Sequence, residues 1–164
     1  MNQVYLILGS NIGPELNIPA AIRHLSSHPD LTIQQISSVW RTRPVGSRAN
    51  DFLNTAVFLT TSLDEEVLKQ EVLCDIEEKM GRVRIEDKFA PRPIDLDIVI
   101  FNDRIVDENL FRHDYLILPF SELIPDLVSP VQGISMKTLA TTIHPFSTAK
   151  VVKLDLPPLS RSNK

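Results

Sequence analysis

The chain has 164 residues, enough for one domain with a buried core, and its 43% hydrophobic and 23% charged content is that of a soluble globular protein. A net charge of −4, from 17 basic and 21 acidic residues, speaks against a general nucleic-acid binder. No apolar run approaches the ~20 residues of a membrane span, and the lone Cys74 precludes an internal disulfide, which fits a reducing cytoplasm.

In chain order, Gln3 to Leu8 reads as a strand that ends in a Gly9-Ser10-Asn11 turn. Ile18, Ala21, Ile22 and Leu25 then recur at helical spacing over Glu15–Leu25. Leu31–Arg41 and Phe52–Thr60 are strand-like, separated by the polar loop Thr42–Asp51. Ser62 and Glu65 match a capping box, and the helix they open is expected to run to about Met80 and stop at Gly81. A charged loop, Arg82–Ala90, leads into the strand that contains Asp95 and Asp97. Asn102-Asp103 turns it into a hairpin with Arg104–Asp107. Short helices are expected at Pro119–Ile124 and Met136–Thr142. Residues 1–156 form one domain in this reading, and 157–164 a disordered tail. Strand-helix-strand-strand-helix-strand is the order of a ferredoxin-like α+β sandwich, with helices over one sheet face and the other partly open.

Side chains alternate along a strand, so Asp95 and Asp97 share a face with Cα atoms ~6.6–7 Å apart. Ile94, Leu96, Ile98 and Ile100 are expected on the opposite, core face. Two readings of the aspartates stand side by side. They line the solvated face of an antiparallel sheet, or they share a magnesium ion with phosphates, since each carboxylate raises the pKa of the other unless a cation intervenes. Arg82, Arg84, Lys88 and Arg92, clustered just upstream, suit the second reading because arginine holds phosphate oxygens bidentately. The remaining histidines, His24, His28 and His144, have no metal-ligand spacing and are expected on the surface or at helix ends. Trp40 is expected in the core.

Six separated segments, taken together and in order, resemble the 6-hydroxymethyl-7,8-dihydropterin pyrophosphokinases of folate biosynthesis. They are L-G-S-N (Leu8–Asn11), T-R-P-V-G (Thr42–Gly46), D-F-L-N-T-A-V (Asp51–Val57), G-R-V-R (Gly81–Arg84), F-A-P-R-P-I-D-L-D-I-V-I-F (Phe89–Phe101) and L-P-F-S-E-L-I-P-D-L-V (Leu118–Val128). The resemblance implies transfer of pyrophosphate from ATP to the pterin hydroxymethyl oxygen, with release of AMP. It implies that Asp95 and Asp97 hold two magnesium ions, that Arg82 and Arg92 are catalytic, and that Arg84, Lys88, Ile98, Arg112 and His113 meet ATP. Thr42, Pro44, Val45, Phe52, Asn54 and Tyr115 would form the pterin pocket, Phe52 and Tyr115 as stacking rings. A cytoplasmic monomer with small-molecule substrates, no nucleic acid and no membrane partner is expected.

One segment departs from the family pattern. Leu110–Tyr115 leads almost directly into Leu116–Pro119, without the His-containing run that family members carry there. That shortening motivates an alternative, a paralogue that binds pterin or nucleotide without turnover. A further alternative is another metal-dependent nucleotidyl-transfer enzyme on the same fold.

Overall fold

The computed structural model describes residues 1–46, 50–83 and 90–159. Its elements are β1 (Asn2–Ser10), α1 (Pro14–Ser27), β2 (Leu31–Ile36), β3 (Val39–Thr42) and β4 (Phe52–Thr61), then a continuous helical stretch of α2 (Glu65–Val67), a π-helical segment (Leu68–Leu73) and α3 (Cys74–Lys79). β5 (Asp95–Phe101), β6 (Arg104–Ile105), α4 (Asp114–Leu123), α5 (Met136–Ile143), a 3₁₀ turn (His144–Phe146) and β7 (Lys150–Val152) complete the chain.

Among the described residues seven strands make one sheet in the order β6-β5-β1-β4-β3-β7, with β2 also paired to β4. The pairings are antiparallel, and β5-β1-β4-β2 is the ferredoxin-like order. β4 is long enough to pair with β2 through Val57–Thr61 and with β3 through Phe52–Asn54. This splits the expected Leu31–Arg41 strand in two at Ser37-Ser38.

One sheet face carries Val4, Leu6 and Leu8 of β1, Leu53, Val57 and Leu59 of β4, and Leu96 and Ile98 of β5, sealed by α1 and by Leu68, Val72, Leu73 and Ile76. The opposite face is covered at one end by α4 and α5, whose Leu116, Ile117, Phe120, Met136 and Leu139 pack on Ile7, Ala56 and Val99. It is therefore open only at its other end. A β-bulge where the β1–β5 register shifts breaks the alternation of β5, and Ile100 packs on this second face instead of with Ile98.

Other expectations are corrected by local chemistry. Gly9 and Ser10 belong to β1, not to a turn, because both pair with β4. Asp64 caps the helix in place of Ser62, accepting from Val67 N at 2.9 Å, while Glu65 pairs with Arg104. α4 starts five residues before Pro119 and carries that proline inside it, because burial of Leu116, Ile117 and Phe120 outweighs its cost. Trp40 lies in the core, donating from Nε1 to Glu122 Oε1 at 3.1 Å. His28 and His144 sit at helix C-termini.

Candidate active site

Strand register brings Asp95, Asp97, Phe52, Asn54 and Thr42 together. Gly9 of β1 lies opposite Asp95 of β5 on one side and opposite Asn54 of β4 on the other. Cross-strand partners share a face, so Asp95, Gly9 and Asn54 form one row, and Asp97, Ile7 and Ala56 form the next. With strands about 4.8 Å apart, the carboxylate and amide ends of the first row lie roughly 10 Å apart. Only a glycine stands between them.

A cavity of about 410 Å³ opens over these rows, within the size range of small-ligand sites. Thr42, Pro44, Val45, Phe52 and Asn54 line one side of it, Arg92, Asp95 and Asp97 another, and Asp107, Asn109, His113 and Tyr115 a third. Asn54 is buried and donates from Nδ2 to Thr42 Oγ1 at 2.7 Å, which fixes the amide and leaves its Oδ1 toward Gly9. A Cβ at position 9 would lie 3.1 Å from that Oδ1 and 3.7 Å from the Phe52 ring. The glycine is what lets both side chains lean over β1.

At the other end, each oxygen of Asp95 takes one guanidinium. Arg82 Nη1 donates to Oδ1 at 2.7 Å and Arg92 Nη1 to Oδ2 at 2.6 Å. Arg82 also pairs with Glu77, a helix residue only 4% exposed. Burial raises the pKa of Glu77, against the opposing pull of the Leu96 N–H and Arg82. Burial works against the Arg82 charge too, but Asp95 and Glu77 outweigh it and its pKa is raised. Arg92 is held by its main chain: its N–H donates to Asn11 Oδ1 at 2.7 Å and its C=O accepts from Asn11 N at 3.2 Å.

Among the described residues no cation pairs with Asp97. Its side chain is accessible at the cavity floor yet surrounded by protein, and this burial, with the charges of Asp95 and Glu77, pushes its pKa up to about 7 against the opposing effect of Arg82. Burial, then Asp107, Asp97 and Asp95, pushes the Tyr115 phenol up to about 12, so it remains a donor at neutral pH. The His113 ring stacks on Tyr115, centroids 5.5 Å apart and 17° from parallel.

Asp95 and Asp97 fit magnesium. They offer two hard oxygen donors, and among the described residues no group of three or more His, Cys, Asp or Glu forms a fuller cage. Magnesium binds through one or two carboxylates and fills its shell with water and phosphate, whereas zinc wants three or four protein ligands.

Not every nominated residue faces the cavity. Ile98 is buried in the core of the opposite sheet face, Arg112 is exposed and outside the lining, and Arg82 is also outside the lining, joined to the site through Asp95. Arg84 and Lys88 lie outside the described residues. Sequence reasoning missed Gly9, Glu77, Asp107 and Asn109. Glu77 carried a signal, since it lies four residues after Leu73 on the apolar stripe of its helix. Asp107 and Asn109 carried none beyond their polarity.

Fold and cleft together define a class: a ferredoxin-like α+β enzyme whose acidic, arginine-flanked site suits phosphate esters and adjoins an aromatic and amide pocket. The model of one family, 7,8-dihydro-6-hydroxymethylpterin-pyrophosphokinase (HPPK), matches residues 5–125. The 2-amino-4-hydroxy-6-hydroxymethyldihydropteridine pyrophosphokinase of Methylorubrum extorquens is 34% identical over 161 residues, covering 92% of this chain and 99% of that protein. The protein of the same name from Synechocystis sp. is 35% identical over 135 residues, covering 77% of this chain and 68% of its own. The crystal structure of Plasmodium falciparum HPPK-DHPS with pteroate superposes with a TM-score of 0.65 at 14% identity, over 86% of this chain and 42% of that one. That last likeness shows the fold alone, and this chain spans less than half the length of that structure's chain. The chain belongs to the HPPK family. It is an ATP-dependent pyrophosphokinase, with ATP as co-substrate, and the non-catalytic alternative is not favoured.

Proposed function

We propose that the chain joins the two ends of its cavity in one reaction, the transfer of pyrophosphate from ATP to the hydroxymethyl oxygen of 6-hydroxymethyl-7,8-dihydropterin. A bond forms between that oxygen and the β-phosphorus, the bond from the β-phosphorus to the α,β-bridging oxygen breaks, and AMP leaves with the bridging oxygen. The hydroxyl proton goes to solvent. The observation that supports this reading is the row Asp95–Gly9–Asn54, in which a carboxylate and a side-chain amide share one floor across a glycine.

Asp95 and Asp97 would hold two magnesium ions, which when bound neutralise the triphosphate. Arg82 and Arg92, flanking Asp95, balance the charge that moves between β-phosphorus and leaving oxygen. The pterin lies between the rings of Phe52 and Tyr115. Asn54 Oδ1 accepts from one of its N–H groups, and the Thr42–Val45 main chain meets its edge. His113, Arg112, Arg84 and Lys88 would meet the nucleotide, and Ile98 would contribute through its main chain. No protein nucleophile is required, since positioning and electrostatics suffice. The protein works as a cytoplasmic monomer whose catalytic domain is residues 1–156; most of the expected tail, 160–164, lies outside the described residues.

The two ends make separable predictions for calorimetric titration. Asn54→Ala should weaken pterin binding and spare magnesium–ATP, and Asp97→Ala should do the reverse. Loss of pterin binding in Asp97→Ala with magnesium–ATP binding intact would contradict the assignment of ends.

A further inference from the structure

Glu77 is a charged side chain in a place where charge is costly. It lies on the helix face that carries Leu73 and Ile76 into the core and is 4% exposed. A buried ion pair contributes little net stability compared with an apolar residue of the same volume, so packing alone gives no reason for a carboxylate here. Its contacts supply one. Oε1 accepts from the main-chain N–H of Leu96, at 3.1 Å, and Leu96 is the residue between Asp95 and Asp97. Oε2 pairs with Arg82 Nη1, which also donates to Asp95.

The helix terminus makes this arrangement rigid. Gly81 has φ 89°, and its N–H donates to Glu78 O at 3.0 Å while the Arg82 N–H donates to Glu77 O at 3.0 Å. These are the two bonds of a Schellman cap. Arg82 is thus tied to Glu77 through both main chain and side chain, and Glu77 is tied to the strand segment that carries both aspartates.

We infer that Glu77 is a positioning residue for pyrophosphoryl transfer, locking the Arg82 guanidinium and the Asp95–Asp97 segment into one unit whose geometry sets where positive charge meets the phosphates. The inference rests on the roles proposed above for Arg82 and Asp95. Glu77 touches neither substrate. It acts by denying Arg82 the other rotamers open to a long side chain.

The test is a steady-state cycle of wild type, Glu77→Gln, Arg82→Ala and the double variant, with thermal melts to establish that each is folded. Glu77→Gln should lower kcat by about 10- to 100-fold, as outer-shell changes do, with the KM for pterin within about twofold. In the Arg82→Ala background the same substitution should change kcat by less than about twofold, because both changes act through one group. A folded Glu77→Gln enzyme with wild-type kcat, or an equal loss in both backgrounds, would overturn the inference and leave the role of Arg82 standing. Wild-type kcat in Arg82→Ala would overturn the role of Arg82 and this inference with it. If Glu77→Gln melts below the assay temperature, Glu77→Asp keeps the charge, shortens the reach, and is judged by the same kcat and KM criteria.

Discussion

The two faces of the central sheet are built from the same strands and do opposite things. On one face Leu8, Leu53 and Leu96 close against α1 and α3, with each of them nearly fully buried. One residue along each strand, on the other face, stand Gly9, Asn54 and Asp95 beneath a cavity. The period of two makes this possible, because adjacent residues serve different masters. The core face is specified by size and apolarity, which many residues satisfy. The site face is specified by chemistry and by empty space, as the 3.1 Å contact awaiting any Cβ on Gly9 illustrates.

If the faces are separable, substitutions on one should not read out on the other. The largest effect belongs to Asp97→Ala, which should reduce kcat by about a thousandfold, the several kcal/mol of charge stabilisation a metal supplies, with a cooperative melt at a Tm no lower than that of wild type. A folded Asp97→Ala enzyme of normal activity would return the pair to a solvated sheet face. Leu59→Ala, on the core face and fully buried, should cost about 2–5 kcal/mol of stability in denaturant titrations while kcat below the melting range stays near wild type. Gly9→Ala sits on the boundary. It should raise the pterin KM about fivefold, matching the ~1 kcal/mol of an off-rotamer side chain, with a smaller effect on the KM for ATP.

The smallest effect is a stability change with pH. In the folded protein Asp97 is pushed up from 3.8 to about 7, so between those values the folded state binds more protons than the unfolded state. Stability is therefore lost as pH rises through that window. Asp97→Asn should raise Tm at pH 8 and leave it nearly unchanged at pH 4, measured without magnesium. A Tm gain confined to low pH would have the wrong sign. By the same logic, metal binding should weaken below about pH 7, where the proton competes for Asp97.

How much of this was legible in the sequence follows the same division. β1, α1, β4 and α5 follow clean periodicities and were readable to within a residue or two of their ends. β7 was not, because three residues carry no period and it exists only by pairing with Val39–Arg41. α4 was misread at its start because proline propensity was given weight that burial overrode. The Ile100 face was misread because a bulge leaves no mark in composition. In the site, Asp95 and Asp97 were legible because their spacing already fixes their geometry. Glu77 was legible only as a charge on an apolar stripe, since its significance depends on Leu96, 19 residues away, and Gly9 looked like a turn because its role is to be absent from the space that Asn54 and Phe52 fill.

The most direct test of the account is AMP release by the purified chain, assayed with ATP, 6-hydroxymethyl-7,8-dihydropterin and magnesium, and with each omitted in turn. The account predicts AMP formation that requires all three. Pterin binding without AMP, under conditions where the protein is folded and magnesium is present, would contradict it and direct attention to the Phe111–Tyr115 segment beside the cavity.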